Sequence, residues 1–171
     1  MKNIFLTGEK GVGKTTLLNK ILDDFNFDVG GHFTTREFKN GGVIFYMNDY
    51  ITKEVKLFAD FSNFEQKKVI KETFEVFGVN LLQNALKQKD VIVLDELGPM
   101  EENFTDFKKS VYDVLDSPKL TLGILKECDS PFIDSIMKRS DTKVIKVTKE
   151  NRNTLFDEFK KDVKSFTCKD V

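Results

Sequence analysis

The run Gly8-Glu9-Lys10-Gly11-Val12-Gly13-Lys14-Thr15 fits the spacing G-x-x-x-x-G-K-[ST]. It stands between a short apolar segment, Asn3 to Thr7, and a stretch from Lys14 to Phe25 in which Leu17, Leu18, Ile21, Leu22 and Phe25 recur at helical spacing. A glycine loop in that position joins a buried strand to a helix. Glycines permit backbone conformations and close approaches that other residues resist, so successive N–H groups can converge on an anion near the positive end of the helix. The loop is therefore a candidate phosphate cradle. Lys14 would reach the β- and γ-phosphates, the Thr15 hydroxyl would coordinate Mg, and Thr16 would contact the α-phosphate.

The remainder of the chain continues the strand and helix alternation. Val29 to Ile51 is rich in β-type residues around Asn40-Gly41-Gly42, a turn signal between Phe33–Phe38 and Val43–Tyr46, and predicts a hairpin. Lys53 to Lys71 shows no clean period, its charges interleaved with Phe58, Phe61 and Phe64. Glu72 to Lys87 reads as a helix weakened by Gly78. Val91 to Leu94 is a continuous apolar run of the kind buried on both faces of a parallel sheet, and it ends in Asp95-Glu96. A helix follows Pro99, with Phe104, Phe107, Val111, Val114 and Leu115 on one face, and stops before Ser117-Pro118. Leu120 to Leu125 predicts a strand, Ser130-Pro131 a capped helix start, Val144 to Val147 a strand, and Leu155 to Phe166 a last helix with a frayed tail. Right-handed crossovers then give an α/β fold with a mainly parallel central sheet and one antiparallel hairpin, its ligand site at the carboxyl ends of the strands. Residues 1–171 suffice for one domain and not for two of ordinary size.

Asp95 and Glu96 close a strand in which alternate side chains point to opposite sides, so the two acids can divide their labour. Asp95 would hold Mg directly or through water. Glu96 would orient and deprotonate a water for attack on the γ-phosphorus, with Lys14 neutralising charge there. Leu120 to Leu125 can lie between the loop strand and the acid strand, which brings Lys126 near the γ-phosphate as a candidate sensor. A guanine-specific reading is also open to test, because Asp95-Glu96-Leu97-Gly98 spells D-x-x-G and Thr148-Lys149-Glu150-Asn151 follows a strand as a guanine-reading N/T-K-x-D does. The last position argues against it: guanine presents two donors that a carboxylate accepts, whereas the Asn151 amide offers one acceptor oxygen.

Composition narrows the setting. Lysine and arginine, 27 in all, nearly balance 28 acids, so nothing indicates nucleic acid as a partner. Cys128 and Cys168 lack metal-ligand spacing and read as reduced thiols. No export signal and no apolar run of membrane-spanning length is present, which points to the cytoplasm. His32 is the only histidine and reads as structural.

Taken together, Gly8 to Thr16, Val93-Leu94-Asp95-Glu96-Leu97-Gly98-Pro99-Met100-Glu101 and Val147 to Asn153 resemble the small nucleoside-triphosphatase family of thermophilic prokaryotes, which has a human cancer-related member. The resemblance runs nearly the length of the chain. It implies a RecA-like three-layer core and slow Mg-dependent hydrolysis of nucleoside triphosphate to diphosphate and phosphate, with broad base tolerance. It adds Glu101 and Arg152 to the nucleotide-binding set. Phe33 to Lys39 looks like the family segment F-Y-T-x-E-x-R, with Lys39 where arginine is usual and His32 where glycine usually precedes the Phe. Arg36, Lys39, Lys67 and Lys68 are all available to neutralise transition-state charge, and the residues alone do not choose among them. Two other functions fit the same loop: a small-molecule or nucleotide kinase, for which Lys138-Arg139 would be the lid, and a nucleotide-switched binding module. The residues leave open whether a protein partner stimulates turnover.

Overall fold

The structure, a computed structural model, describes residues 2–63 and 65–167. Its elements run β1 (Asn3–Thr7), α1 (Lys14–Phe25), β2 (Val29–Lys39), β3 (Gly42–Asp49), β4 (Val55–Asp60), β5 (Lys68–Val69), α2 (Val79–Gln88), β6 (Val91–Leu97), α3 (Thr105–Asp116), β7 (Leu120–Leu125), α4 (Pro131–Met137), β8 (Thr142–Lys146) and α5 (Leu155–Thr167). The strands form one sheet in the order β5-β4-β3-β2-β6-β7-β1-β8. From β2 to β8 all pairings are parallel, and from β2 outward through β3, β4 and β5 all are antiparallel.

Alternation along the central strands builds three layers. Ile4 and Leu6 of β1, Val91 and Val93 of β6, and Leu120, Leu122 and Ile124 of β7 pack with Leu17, Leu18 and Ile21 of α1 and Leu155, Phe159 and Val163 of α5. Phe5, Ile92 and Leu94 point the other way, into Leu81, Leu82, Phe107, Val111, Ile133 and Ile136 of α2, α3 and α4. The central strands thus carry apolar side chains on both faces, which is why Val91 to Leu94 reads as an unbroken apolar run. β7 sits between β1 and β6, the place expected for Leu120 to Leu125, and the reversal of strand order beside β1 opens the crevice in which such sheets bind ligands.

The expected hairpin forms. Asn40 (φ 50°) and Gly41 (φ 79°) both take left-handed conformations, the requirement of a two-residue turn whose twist matches its strands. The aperiodic stretch from Lys53 becomes β4 and the short β5 at the edge beyond it, strands that bury little beyond Phe58 and Ala59. Strands with so few buried positions carry no periodic signal, and their lysines guard the open edge. The helix expected over Glu72–Lys87 is composite: a π-helical turn over Thr73–Gly78 leads into α2. Gly78 weakens the helix but allows contact, because a Cβ there would stand 2.7 Å from the Phe107 ring. Phe107, Phe58 and Phe104 all pack around Phe74, with ring centroids 4.3–5.4 Å apart. Cys168 and the expected frayed tail, like Phe64, lie outside the described residues.

Candidate functional site

The loop after β1 is shaped by what surrounds it. Gly8 (φ +134°) passes so close to β8 that a Cβ would fall 2.3 Å from the Val147 carbonyl oxygen. Gly13 (φ 110°) precedes α1 with no side chain capping the helix. α3, α4 and α5 place acids in their first turns and Ser130 caps α4, whereas α1 begins with Lys14, Thr15 and Thr16 and no acid. Its first N–H groups are left open to an anion. The Lys14 ammonium folds back over the loop, donating to the Gly8 and Glu9 carbonyls at 2.6 and 2.8 Å. Burial lowers the Lys14 pKa, and the charges of Glu96, Glu127 and Asp95 oppose that shift.

Opposite the loop, β6 ends in a bulge: its register with β7 shifts between Leu94 and Leu97. Within it Asp95 is buried, only 3% exposed, with Oδ2 accepting from the Thr34 N–H of β2 at 3.0 Å. Asp95 Oδ1 is buried without a partner among the described residues. Burial pushes the carboxyl up to about 6 against the pull of the Thr34 N–H. Glu96 takes a left-handed backbone (φ 58°), an unfavourable conformation for a residue with a long side chain. The bulge turns its carboxylate between two cations, Arg36 Nη2 at 3.7 Å from Oε1 and Lys126 Nζ at 3.9 Å from Oε2. Lys126 reaches that position across Gly98, where a Cβ would meet its Cδ at 2.6 Å, while its own N–H donates to the Leu97 carbonyl at 2.8 Å.

Except for Asp95, which is buried behind the wall, these groups line one cavity of about 700 Å³. Gly8, Glu9, Lys10, Gly11, Gly13, Lys14, Thr15 and Thr16 form one wall, and Arg36, Glu96 and Lys126 face them. Beyond the charged groups Phe45, Pro99, Ile124 and Cys128 add an apolar side. A divalent cation suits the donors present. The unpartnered Asp95 oxygen and the exposed Thr15 hydroxyl are hard oxygen ligands, and Mg beside a triphosphate takes only one or two protein oxygens, the rest coming from phosphate and water. That donor count also explains why no group of three or more metal-ligating side chains is found among the described residues.

A strand, an open glycine loop and an acid pair on the second strand away are the parts of a phosphate-binding α/β core, and sequence comparison identifies which one. Residues 3–159 match the protein family described as NTPase. The chain belongs to this NTPase family. It is 35% identical over 164 residues to a nucleoside-triphosphatase THEP1 of Methanocaldococcus jannaschii, covering 91% of this chain and 93% of the relative. It is 31% identical over 162 residues to the THEP1 of Thermotoga maritima, covering 91% of both. The solution structure of a human cancer-related nucleoside triphosphatase superposes with a TM-score of 0.77 at 28% identity, covering 96% of this chain and 98% of that one. The RecA-like three-layer architecture expected from the sequence is the one this NTPase has.

The structure sorts the other expected residues. Val12 packs into the core beneath the loop and does not line the cavity. Glu101 lies outside the cavity lining: it is 5% exposed, and Oε2 accepts from the Gly98 N–H at 2.9 Å, with burial pushing its carboxyl up to about 7. It braces the loop that Lys126 crosses. Arg152 is exposed beside the phosphate loop, its Cδ 3.9 Å from where a Gly13 Cβ would be, and does not line the cavity. The Asn151 amide is engaged through both its oxygen and its nitrogen, accepting from the Thr148 N–H at 2.7 Å and donating to the Lys146 carbonyl at 2.9 Å. Lys138 and Arg139 are not a lid. Arg139 sits at the amino ends of the strands, bound to Asp116 and Asp141, and Lys138 pairs with Asp134. His32 is buried against Phe107. Of the four cations left undecided by the sequence, Lys39, Lys67 and Lys68 are exposed and off the cavity, whereas Arg36 lines it. The signal for Arg36 was its strand parity with Phe45, legible only once the hairpin register is known.

Proposed function

We propose that this NTPase hydrolyses nucleoside triphosphates to diphosphate and inorganic phosphate with Mg, and with little discrimination among bases. One observation carries the reading: the Glu96 carboxylate is held in the cavity wall that faces the phosphate loop, where an attacking water would stand. The open N–H groups of the loop and α1 hold the phosphate chain, and Lys14 turns from the Gly8 and Glu9 carbonyls to the outer phosphates. Thr15 and Asp95 would hold Mg, which when bound offsets phosphate charge and orients the β- and γ-oxygens. Glu96 accepts a proton from water as its oxygen bonds to the γ-phosphorus, and the bond to the β-phosphate oxygen breaks with its electron pair staying on the diphosphate. Lys126, tethered at the end of β7, senses the γ-phosphate.

Tolerance of the base follows from Asn151, whose amide is consumed inside its own turn. A second reading has one observation in its favour: the apolar side of the cavity at Phe45, Pro99 and Cys128 has room for an organic acceptor, as a kinase requires. The test is phosphate release from ATP, GTP, CTP and UTP with Mg or with chelator and no added acceptor, in wild type and Glu96→Gln. Release within about tenfold across the four, dependent on Mg and lowered by about 10² to 10⁴ in the variant, is the expected result. No release despite tight nucleotide binding would sink hydrolysis and favour a kinase or a switch.

A further inference from the structure

Three arginines occur in the chain, and the structure gives them different work. Arg139 is consumed at the far end of the sheet by Asp116 and Asp141 at 2.7–2.9 Å. Arg152 stands on the outer side of the phosphate loop. Arg36 alone faces the acid pair. It belongs to the outer part of β2, where Arg36 pairs with Phe45 and Glu37 with Ile44. Arg36 and Phe45 therefore share the face turned to the cavity. The strand that carries it is fixed at its base: the Thr34 N–H, two residues earlier, holds Asp95, and Asn48 on β3 donates to the Phe33 carbonyl at 3.2 Å and to Thr35 Oγ1 at 2.9 Å. The guanidinium itself is not fixed. Its 3.7 Å approach to Glu96 is a charge contact longer than a hydrogen bond, and among the described residues its donors have no hydrogen-bond partner.

We propose that Arg36 is a catalytic residue, an arginine supplied by the protein's own β2–β3 hairpin that neutralises charge on the γ-phosphoryl oxygens in the transition state. The proposal rests on the hydrolysis proposed above. A planar fork of donors matches phosphoryl oxygens, and such an arginine acts most where charge is spread over the transferring group. As the water oxygen bonds to phosphorus and the bridging oxygen leaves with its electron pair, Arg36 changes partner from Glu96 to the phosphoryl group. Glu96 is thereby freed to take the water proton. Lys126 is a poorer candidate for this part, because it is a point charge whose stem is anchored across Gly98.

The test uses the full chain with Arg36→Ala, Arg36→Lys and Glu96→Gln, read in two ways. Turnover of MgATP is expected to fall by about 10³-fold in Arg36→Ala with KM within about threefold, and Arg36→Lys to recover less than about a tenth of the loss. Capture of MgADP with aluminium fluoride, a planar stand-in for the transferring phosphoryl group, is expected in wild type and Glu96→Gln and lost in Arg36→Ala, while MgADP alone binds all three alike. The second readout needs no turnover, so absence of hydrolysis in wild type would refute the hydrolase reading and leave Arg36 still tested. Arg36→Ala that keeps its rate and its fluoride complex, or that loses MgADP affinity as much as the complex, overturns the proposal.

Discussion

The parallel strands end in two charged clusters, one at each end, and the two are built to opposite rules. At the amino ends Arg139 donates to Asp141 at 2.9 Å through two nitrogens and to Asp116 at 2.7 Å, while Lys2 reaches the Leu115 carbonyl and stands 3.6 Å from Asp141. Every charge there is answered at hydrogen-bond distance or close to it. At the carboxyl ends Arg36 and Lys126 flank Glu96 at 3.7 and 3.9 Å, Asp95 keeps an unpartnered buried oxygen, and the Glu96 backbone is left-handed. The first cluster is complete in the chain alone. The second is held by longer charge contacts, and on the function proposed above that looseness is what lets partners be exchanged during a reaction.

His32 marks the limit of that distinction and gives the largest expected effect. Among the described residues neither buried ring nitrogen has a partner, on β2 close to Thr34 and Arg36, yet His32 packs on Phe107 in the core and does not line the cavity of the candidate site. Burial depresses its pKa from 6.5 to about 4. The unfolded chain therefore binds a proton from about pH 6.5 downward that the folded chain refuses until about pH 4, so stability falls as pH drops through that window and levels off below it. The cost is on the order of 3 kcal/mol. His32→Leu should remove it. In urea unfolding, wild type is expected to lose ground to His32→Leu between pH 7 and pH 4 with turnover at pH 7 unchanged. A pH-independent gap with lost turnover would place the imidazole in the working cluster and break the comparison.

Arg139→Ala tests the amino-end cluster directly. Removing a guanidinium that answers two carboxylates, partly screened by solvent, is expected to cost about 1–2 kcal/mol and lower Tm by about 3–6 °C, with kcat unchanged. Arg36→Ala should behave in the opposite way, keeping Tm and losing rate. If thermal unfolding and phosphate release ranked the two variants alike, the two clusters would not differ in kind.

The amino-end cluster and the layers around it were only partly legible in the sequence, for reasons particular residues make plain. Periods of 3.6 and unbroken apolar runs located β1, α1, β6, α3, β7 and α5, because both faces or one continuous stripe of each element are buried. β4 and β5 gave no pattern because the sheet edge buries only two of their residues, and the π-helical turn before α2 has the same composition as a helix. The loop was readable since its glycines and Gly-Lys-Thr are chemistry as well as structure. Arg36 was not readable as a site residue: only the Asn40-Gly41 turn sets the register that pairs it with Phe45, and a shift of one position would turn it away from Glu96. Glu101 matched a motif, and its carboxylate turned out to lie beneath the site rather than in it. Nothing in a sequence distinguishes a carboxylate that touches ligand from one that holds the Gly98 N–H.

Asn151 tests the comparison at its smallest scale, on the outer side of the phosphate loop. Its side chain is answered twice, at 2.7 and 2.9 Å, so by the rule drawn from the two clusters it is structural even though it occupies the place of a base-reading residue. Asn151→Asp restores the carboxylate that guanine recognition uses, but the new carboxylate would face the Lys146 carbonyl with no donor between them. The exchange is expected to cost about 1 kcal/mol and to leave the GTP to ATP ratio of kcat/KM within about threefold of wild type. A shift of about tenfold or more toward GTP would mean that the side chain leaves its turn to meet a base, and that short, satisfied contacts do not identify structural residues in this fold.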